Sequence, residues 1–92
     1  MDEKKIEFLA RKLKALANDK RLKILYQITD RELSVGEIER KVDLSQSALS
    51  QHLAVLREDN VVKTRRNAQT IYYGIKDEKI KQILLMLDEL YL

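Results

Sequence analysis

Ninety-two residues leave room for one domain, residues 1–92, and one modest core; a chain of that length buries only about 60–65% of its unfolded surface, so a partner subunit would help it. The absence of Cys excludes disulfides, thiolate metal sites and thiol nucleophiles, and with no Pro, two Gly and no low-complexity tract there is no sign of a linker. The net charge of +3 is uneven: Asp77 to Leu92 holds four acids against two bases, leaving +5 before it. This is compatible with a polyanion partner and equally with ordinary solubilising charge.

The chain opens on the charged MDEKK with no apolar leader behind it. The aliphatic run ILLML, Ile83 to Leu87, is far short of the ~20 residues of a membrane span. A soluble, unprocessed, cytoplasmic protein is expected, with no membrane partner.

Ile6, Leu9, Leu13 and Leu16 recur at three- and four-residue steps between Lys and Arg, which predicts an amphipathic first helix ending near Asn18. Asn18 or Asp19 caps a second helix, to about Thr29, whose inner face is Leu22, Leu25 and Ile28. Ser34-Val35-Gly36-Glu37 has the form of a capping box, and Leu33 and Ile38 stand at the positions of a hydrophobic staple, so a short third helix runs from Val35 to Val42. A tight turn at Asp43 and Leu44 leads to a fourth helix capped by Ser45, and two helices joined so closely read as a helix-turn-helix.

The fourth helix should stop near Asp59, because Asn60 tolerates the left-handed conformation that follows a helix end. The period then changes to two. Val62 and Thr64 alternate with Lys63 and Arg65, and after Asn67-Ala68-Gln69 the alternation resumes as Ile71, Tyr73, Ile75, which predicts a β-hairpin with a basic rim. Asp77 to Leu92 returns to helix. Its apolar stripe, including Ile80, Ile83, Leu84, Leu87, Leu90 and Tyr91, is too wide for one buried face. Either it lies wholly inside or its outer side meets another subunit; a homodimer through the first and last helices is expected, using Ile6, Leu9, Leu13, Ile83, Leu87, Leu90 and Tyr91. The fold class is thus mainly α with a small β-hairpin: four helices, the hairpin and a fifth helix.

Function is most legible in the fourth helix. With Leu49 at zero on a helical wheel, Leu53 and Leu56 fall within about 40° and His52 at about −60°, while Ser50, Ala54, Ser47 and Gln51 share the opposite arc, which Glu58 joins only at the far end. Leu44 to Leu56 is thirteen residues without a charge in a chain that is 36% charged. Its position, in the second helix of a helix-turn-helix, argues more than its length, because that helix can enter a major groove N-terminus first. Gln can pair with adenine, Ser serves donors or acceptors, and carboxylates there would be repelled by phosphate. The bland alternative is a helix face that merely happens to be small and polar. Lys63, Arg65 and Arg66, with Asn67 and Gln69 at the turn, could reach phosphates or a neighbouring minor groove and make the hairpin a wing.

ELSVGEIERKVDLSQSALSQHLAVLRED, followed by VVKTRRNAQTIYYGI, resembles the ArsR/SmtB family of winged helix-turn-helix repressors, and LKALANDKRLKIL resembles that family's first two helices. The resemblance rests most specifically on Ser47, Ser50, His52 and Leu53 and on Tyr73 and Ile75 at the hairpin end. It implies a homodimer that binds an imperfect inverted repeat in double-stranded promoter DNA, with Gln46, Ser47, Ser50 and Gln51 facing the bases and Val35 close by. Asn60 and Ala68 stand where the family often has Gly; Asn60 or Asn67 can supply the positive φ.

The family's sensors are missing: a Cys pair used for metal in many relatives is here Ser34 and Gly36, and on the last helix Asp77 is kept while Lys79 and Leu90 replace His. No metal and no cofactor is expected, and release is left to a competing protein or to a small organic effector near the last helix. The one His is expected to pack at a helix edge rather than bind metal, and no acid orients a Ser–His pair, so no enzymatic activity is expected. The expected function is a dimeric, sequence-specific DNA-binding repressor. The alternatives are a winged protein-interaction module that does not read DNA, or an anti-silencer that activates by displacing another DNA-bound protein.

Overall fold

Five polar side chains start the five helices. In a computed structural model describing all 92 residues, these are α1 (Glu3–Leu16), α2 (Asp19–Gln27), α3 (Val35–Val42), α4 (Gln46–Glu58) and α5 (Glu78–Tyr91). Asp2, Asn18, Ser34, Ser45 and Asp77 each accept a backbone N–H of the helix that follows. Each such cap is worth about 1 kcal/mol, which matters for helices this short. The capping box is complete: the Glu37 N–H donates to Ser34 Oγ at 3.2 Å and the Ser34 N–H to Glu37 Oε1 at 2.9 Å.

Three residues take a positive φ, none of them Gly: Asp43 at 50°, Asn60 at 59° and Ala68 at 57°. Asp43 ends α3 and Asn60 follows α4, as the tight turn and the helix stop require. In the hairpin, Ala68 and not Asn67 carries the left-handed conformation. Asn67 is paired with Thr70 across the ladder, so the loop is Ala68-Gln69 and its first residue must turn.

The expected two-stranded hairpin is part of a three-stranded antiparallel sheet. β1 (Leu33–Ser34), β2 (Val62–Asn67) and β3 (Thr70–Ile75) lie in the order β1-β3-β2, with Leu33 opposite Tyr73 and Thr64 opposite Tyr73 on the other side. Two residues are too few to show a period, so β1 was hidden behind the capping box it precedes. Its Leu33 is 1% exposed and both begins the helix entry and pairs the central strand.

The core unites Leu16 of α1, Leu25 and Ile28 of α2, Ile38 and Val42 of α3, Leu49, Leu53 and Leu56 of α4, and Ile80 and Leu84 of α5. On α2, Leu22 only packs against this cluster, and Ile24, fully buried, takes the place expected for it. The helix touches α1, α3 and α4, so its buried arc is wider than the single stripe read from the sequence.

The first two helices are tied to α4 at two points. Arg11 Nε donates to Asp59 Oδ1 at 2.6 Å, beside a Lys12 bond to the Asp59 carbonyl. Arg21 donates to the carbonyls of Lys14 and Ala15, closing the end of α1, and turns Nη1 toward His52 Nδ1 at 3.4 Å. Ile6, Leu9 and Leu13 of α1 remain about half exposed, and Ile83, Leu87, Leu90 and Tyr91 of α5 are exposed as well. The apolar stripe of α5 is therefore buried only through Ile80 and Leu84.

Candidate nucleic-acid interface

α3 and α4 are joined by Asp43, Leu44 and Ser45 alone, and Leu44 packs on the core, so the angle between the helices is held from inside. With Leu49, Leu53 and Leu56 buried, α4 must turn Ser47, Ser50, Gln51 and Ala54 to solvent, and all four are exposed; Gln46, on the core side of the wheel, is exposed as the first residue of the helix. The first turn of α4 has no acid. The face is therefore donor- and acceptor-rich, short-chained and uncharged, as an approach to base edges between two rows of phosphates requires. Val35, the first residue of α3, is half-buried against the core and borders a groove with Ser50.

The wing has two faces. Lys63, Arg65 and Asn67 alternate with Val62, Thr64 and Arg66 along β2, and successive strand residues point to opposite sides. Val62 and Tyr73 pack with the core, so Thr64 and Arg66 share the face toward α4, with Arg66 nearest the tip. On the other face Arg65 is engaged within the protein: its Nε pairs with Glu32 Oε1 at 2.8 Å and its guanidinium lies 4.6 Å from the centre of the Tyr72 ring. Lys63 and Arg66 take part in no ion pair and are exposed, as are Asn67 and Gln69 at the tip.

Glu32 belongs to the site although the sequence does not announce it. It lies across the central strand at Gly74, where a Cβ would come within 3.1 Å of the Glu32 Cγ. Only the register of the sheet brings Glu32, Gly74 and Arg65 together, and no local spacing signals it. Equally hidden in the sequence is a groove of about 500 Å³ between α4 and β3, lined by Val35, Ser50, Leu53, Ala54, Arg57, Glu58 and Tyr73.

A family model described as bacterial regulatory protein, arsR family, matches residues 18–64, the span from the cap of α2 to the first half of β2. The chain belongs to the ArsR family. It is 52% identical to the transcriptional activator HlyU of Vibrio cholerae over 79 residues, 86% of this chain and 73% of that protein. A solved structure of HlyU superposes with a TM-score of 0.91 at 48% identity, covering 98% of each chain. The biofilm growth-associated repressor of Xylella fastidiosa is 39% identical over 82 residues, 89% of this chain and 72% of that protein. A homodimeric winged helix-turn-helix DNA-binding domain from Mycobacterium bovis matches with a TM-score of 0.86 at 27% identity, covering 97% of this chain and 85% of that one.

As an ArsR-family member the chain is a transcriptional regulator with a winged helix-turn-helix fold. The residues weighed above as sensor positions, Ser34 and Gly36 in place of Cys and the retained Asp77, lie at helix starts. Ser34 is the α3 cap, Gly36 lies in the first turn of α3, and Asp77 caps α5 through the Lys79 N–H at 2.9 Å. His52, the only His, turns to Arg21 and not to an acid. No helix is long and apolar enough to cross a membrane.

Proposed function

We propose that two copies of this ArsR-family chain bind one inverted-repeat operator in the cytoplasm and repress the promoter that carries it. Gln46, Ser47, Ser50 and Gln51 read base edges, with Val35 beside them, and Lys63, Arg66, Asn67 and Gln69 meet phosphates or the adjoining minor groove. The observation that carries this reading is the exposed, charge-free outer face of the first two turns of α4, next to a wing with two unpaired cations. An interaction module that had given up DNA would have no physical reason to keep acids out of those two turns.

Dimerisation is supported by the outward apolar residues of α1 and α5, among them Leu9 and Leu13 on one helix and Leu87 and Leu90 on the other. It is supported too by the homodimeric state of the Mycobacterium bovis domain. No catalytic role is assigned: Ser47 and Ser50 face outward, whereas His52 faces Arg21, so the hydroxyls and the imidazole do not converge. Release is proposed to run through a protein or an organic effector and not through metal, since Ser34 and Gly36 offer no soft ligand.

A second reading, activation by displacing another DNA-bound protein, is favoured by the activator named among the relatives. Both readings use the same DNA face. Selection of bound duplexes from a random pool, followed by a reporter placed behind the enriched site, separates them. Repression requires reporter output to rise when the regulator is deleted. Gln46→Ala and Ser50→Ala are expected to alter the enriched motif, and a pool that yields no motif overturns sequence-specific reading.

A further inference from the structure

We infer that the groove between α4 and β3 seats the sugar–phosphate backbone of one DNA strand, with Arg57 and Tyr73 as its donors and the base-facing Ser50 at its edge. This rests on the DNA-binding reading above and adds a contact that neither the helix face nor the wing tip supplies. A helix in the major groove and a hairpin reaching the neighbouring minor groove must straddle the strand that separates the two grooves. The body of the protein between them faces that strand.

In this chain the space between them is the groove of about 500 Å³. Ser50 and Arg57 lie on the wall that α4 presents, seven residues apart and so about 10 Å along the helix axis. Tyr73 stands on the opposite wall, on the central strand, paired with Leu33 on one side and Thr64 on the other. That double pairing fixes its backbone and the side chain packs against the core, so its hydroxyl is presented without the loss of freedom that a loop residue would incur. No buried polar side-chain atom lacks a partner, and the Tyr73 hydroxyl makes no bond within the protein, so it opens to solvent. Arg57 is exposed and in no ion pair.

The same groove is lined by the apolar Val35, Leu53 and Ala54. The Tyr73 hydroxyl and the Arg57 guanidinium beside apolar lining residues match a deoxyribose with its phosphate: C–H groups toward the apolar side chains, anionic oxygens toward the donors. Glu58 lies at the same groove and opposes an anion, so the phosphate is confined to the side of Tyr73 and Arg57. Contacts of this kind fix the register of α4 on the duplex and carry no base information.

The test uses the full chain and the duplex enriched from the random pool, titrated over a range of salt. Arg57→Gln is expected to weaken binding about tenfold for the enriched and for unrelated duplexes alike, and to lower the salt slope by about one. Tyr73→Phe keeps the packed ring and removes only the hydroxyl; it should weaken binding about fivefold with the slope unchanged. Glu58→Gln should tighten binding to both duplexes. A duplex with one neutral methylphosphonate on the strand between the grooves should bind wild type more weakly but cost Arg57→Gln little further. Wild-type slope in Arg57→Gln together with wild-type affinity in Tyr73→Phe overturns the groove assignment alone. A shift in base preference in either variant does the same, while wild-type protein that binds no duplex overturns the DNA reading as well.

Discussion

The Arg65 Nε donates to Glu32 Oε1 at 2.8 Å while the same guanidinium lies over the Tyr72 ring, so one of the three wing cations is spent inside the protein. The pair is exposed, with 52% and 31% of the two side chains accessible, and an ion pair of this kind contributes at most about 1 kcal/mol. Its consequence is positional: it ties β2 to the segment before β1 and leaves Lys63 and Arg66 free. Arg66→Ala is therefore expected to weaken binding to all duplexes about tenfold and lower the salt slope by about one, and Arg65→Ala to do markedly less. Glu32→Gln should tighten binding, by removing an acid and releasing Arg65. Filter-binding titrations over salt distinguish the three, and equal losses in the two Arg variants would contradict the assignment.

Ala68 turns the wing at φ 57° without the freedom of Gly. A left-handed conformation at a residue with a Cβ costs about 1–2 kcal/mol. Ala68→Gly should relieve most of this, offset in part by the greater freedom of Gly in the unfolded chain. A net gain of about 0.5–1 kcal/mol raises the midpoint of thermal unfolding by roughly 2–8 °C. Calorimetry measures it, and a lowered midpoint would mean that the loop is held by other means.

Leu9 of α1 and Leu87 of α5 are 47% and 37% exposed on helices whose inner faces are already packed. Leu9→Glu combined with Leu87→Glu puts carboxylates into the proposed interface, where burial without a partner is costly. Sedimentation equilibrium is expected to give twice the chain mass for wild type and the single chain mass for the variant. The variant should also lose preference for a two-half-site duplex over a single half-site, because the linkage between two binding events is gone.

Glu37 is held below its ordinary value of 4.5 by the hydrogen bond from the Ser34 backbone N–H, then by the Ser34 side chain, with Arg31 and Arg40 adding to it. The folded pKa lies below the unfolded one, so the stabilisation is fully present above pH 4.5 and fades as pH falls through the depressed value. Glu37→Gln should be less stable than wild type at neutral pH and approach it in acid. Urea midpoints at several pH values give the difference, and a gap that widens toward low pH would contradict a depressed Glu37 pKa.

Periodicity and caps carried most of the fold. Leu49, Leu53 and Leu56 repeat at helical spacing on α4, so burying that stripe determines which side chains face out, and Ser47, Ser50 and Gln51 are exposed accordingly, while Gln46, named only by the family resemblance, is exposed at the helix start. The capping box at Ser34 and the alternation of Val62 to Ile75 are equally local, since each depends on neighbours within a few residues. The resemblance of the same stretch to the ArsR family holds in the family match.

Contacts between distant segments were decided only by the tertiary structure. Leu33-Ser34 became a strand because β3 lay beside it, and Ile24 became core because three helices close on α2. Arg65 met Glu32 across 33 residues of chain, and Tyr73 came to face Ser50 and Arg57 across one groove. A sequence pattern reports which face of an element is apolar; which charge is neutralised, and which hydroxyls share a cleft, depends on register and packing between elements, and these have no local period.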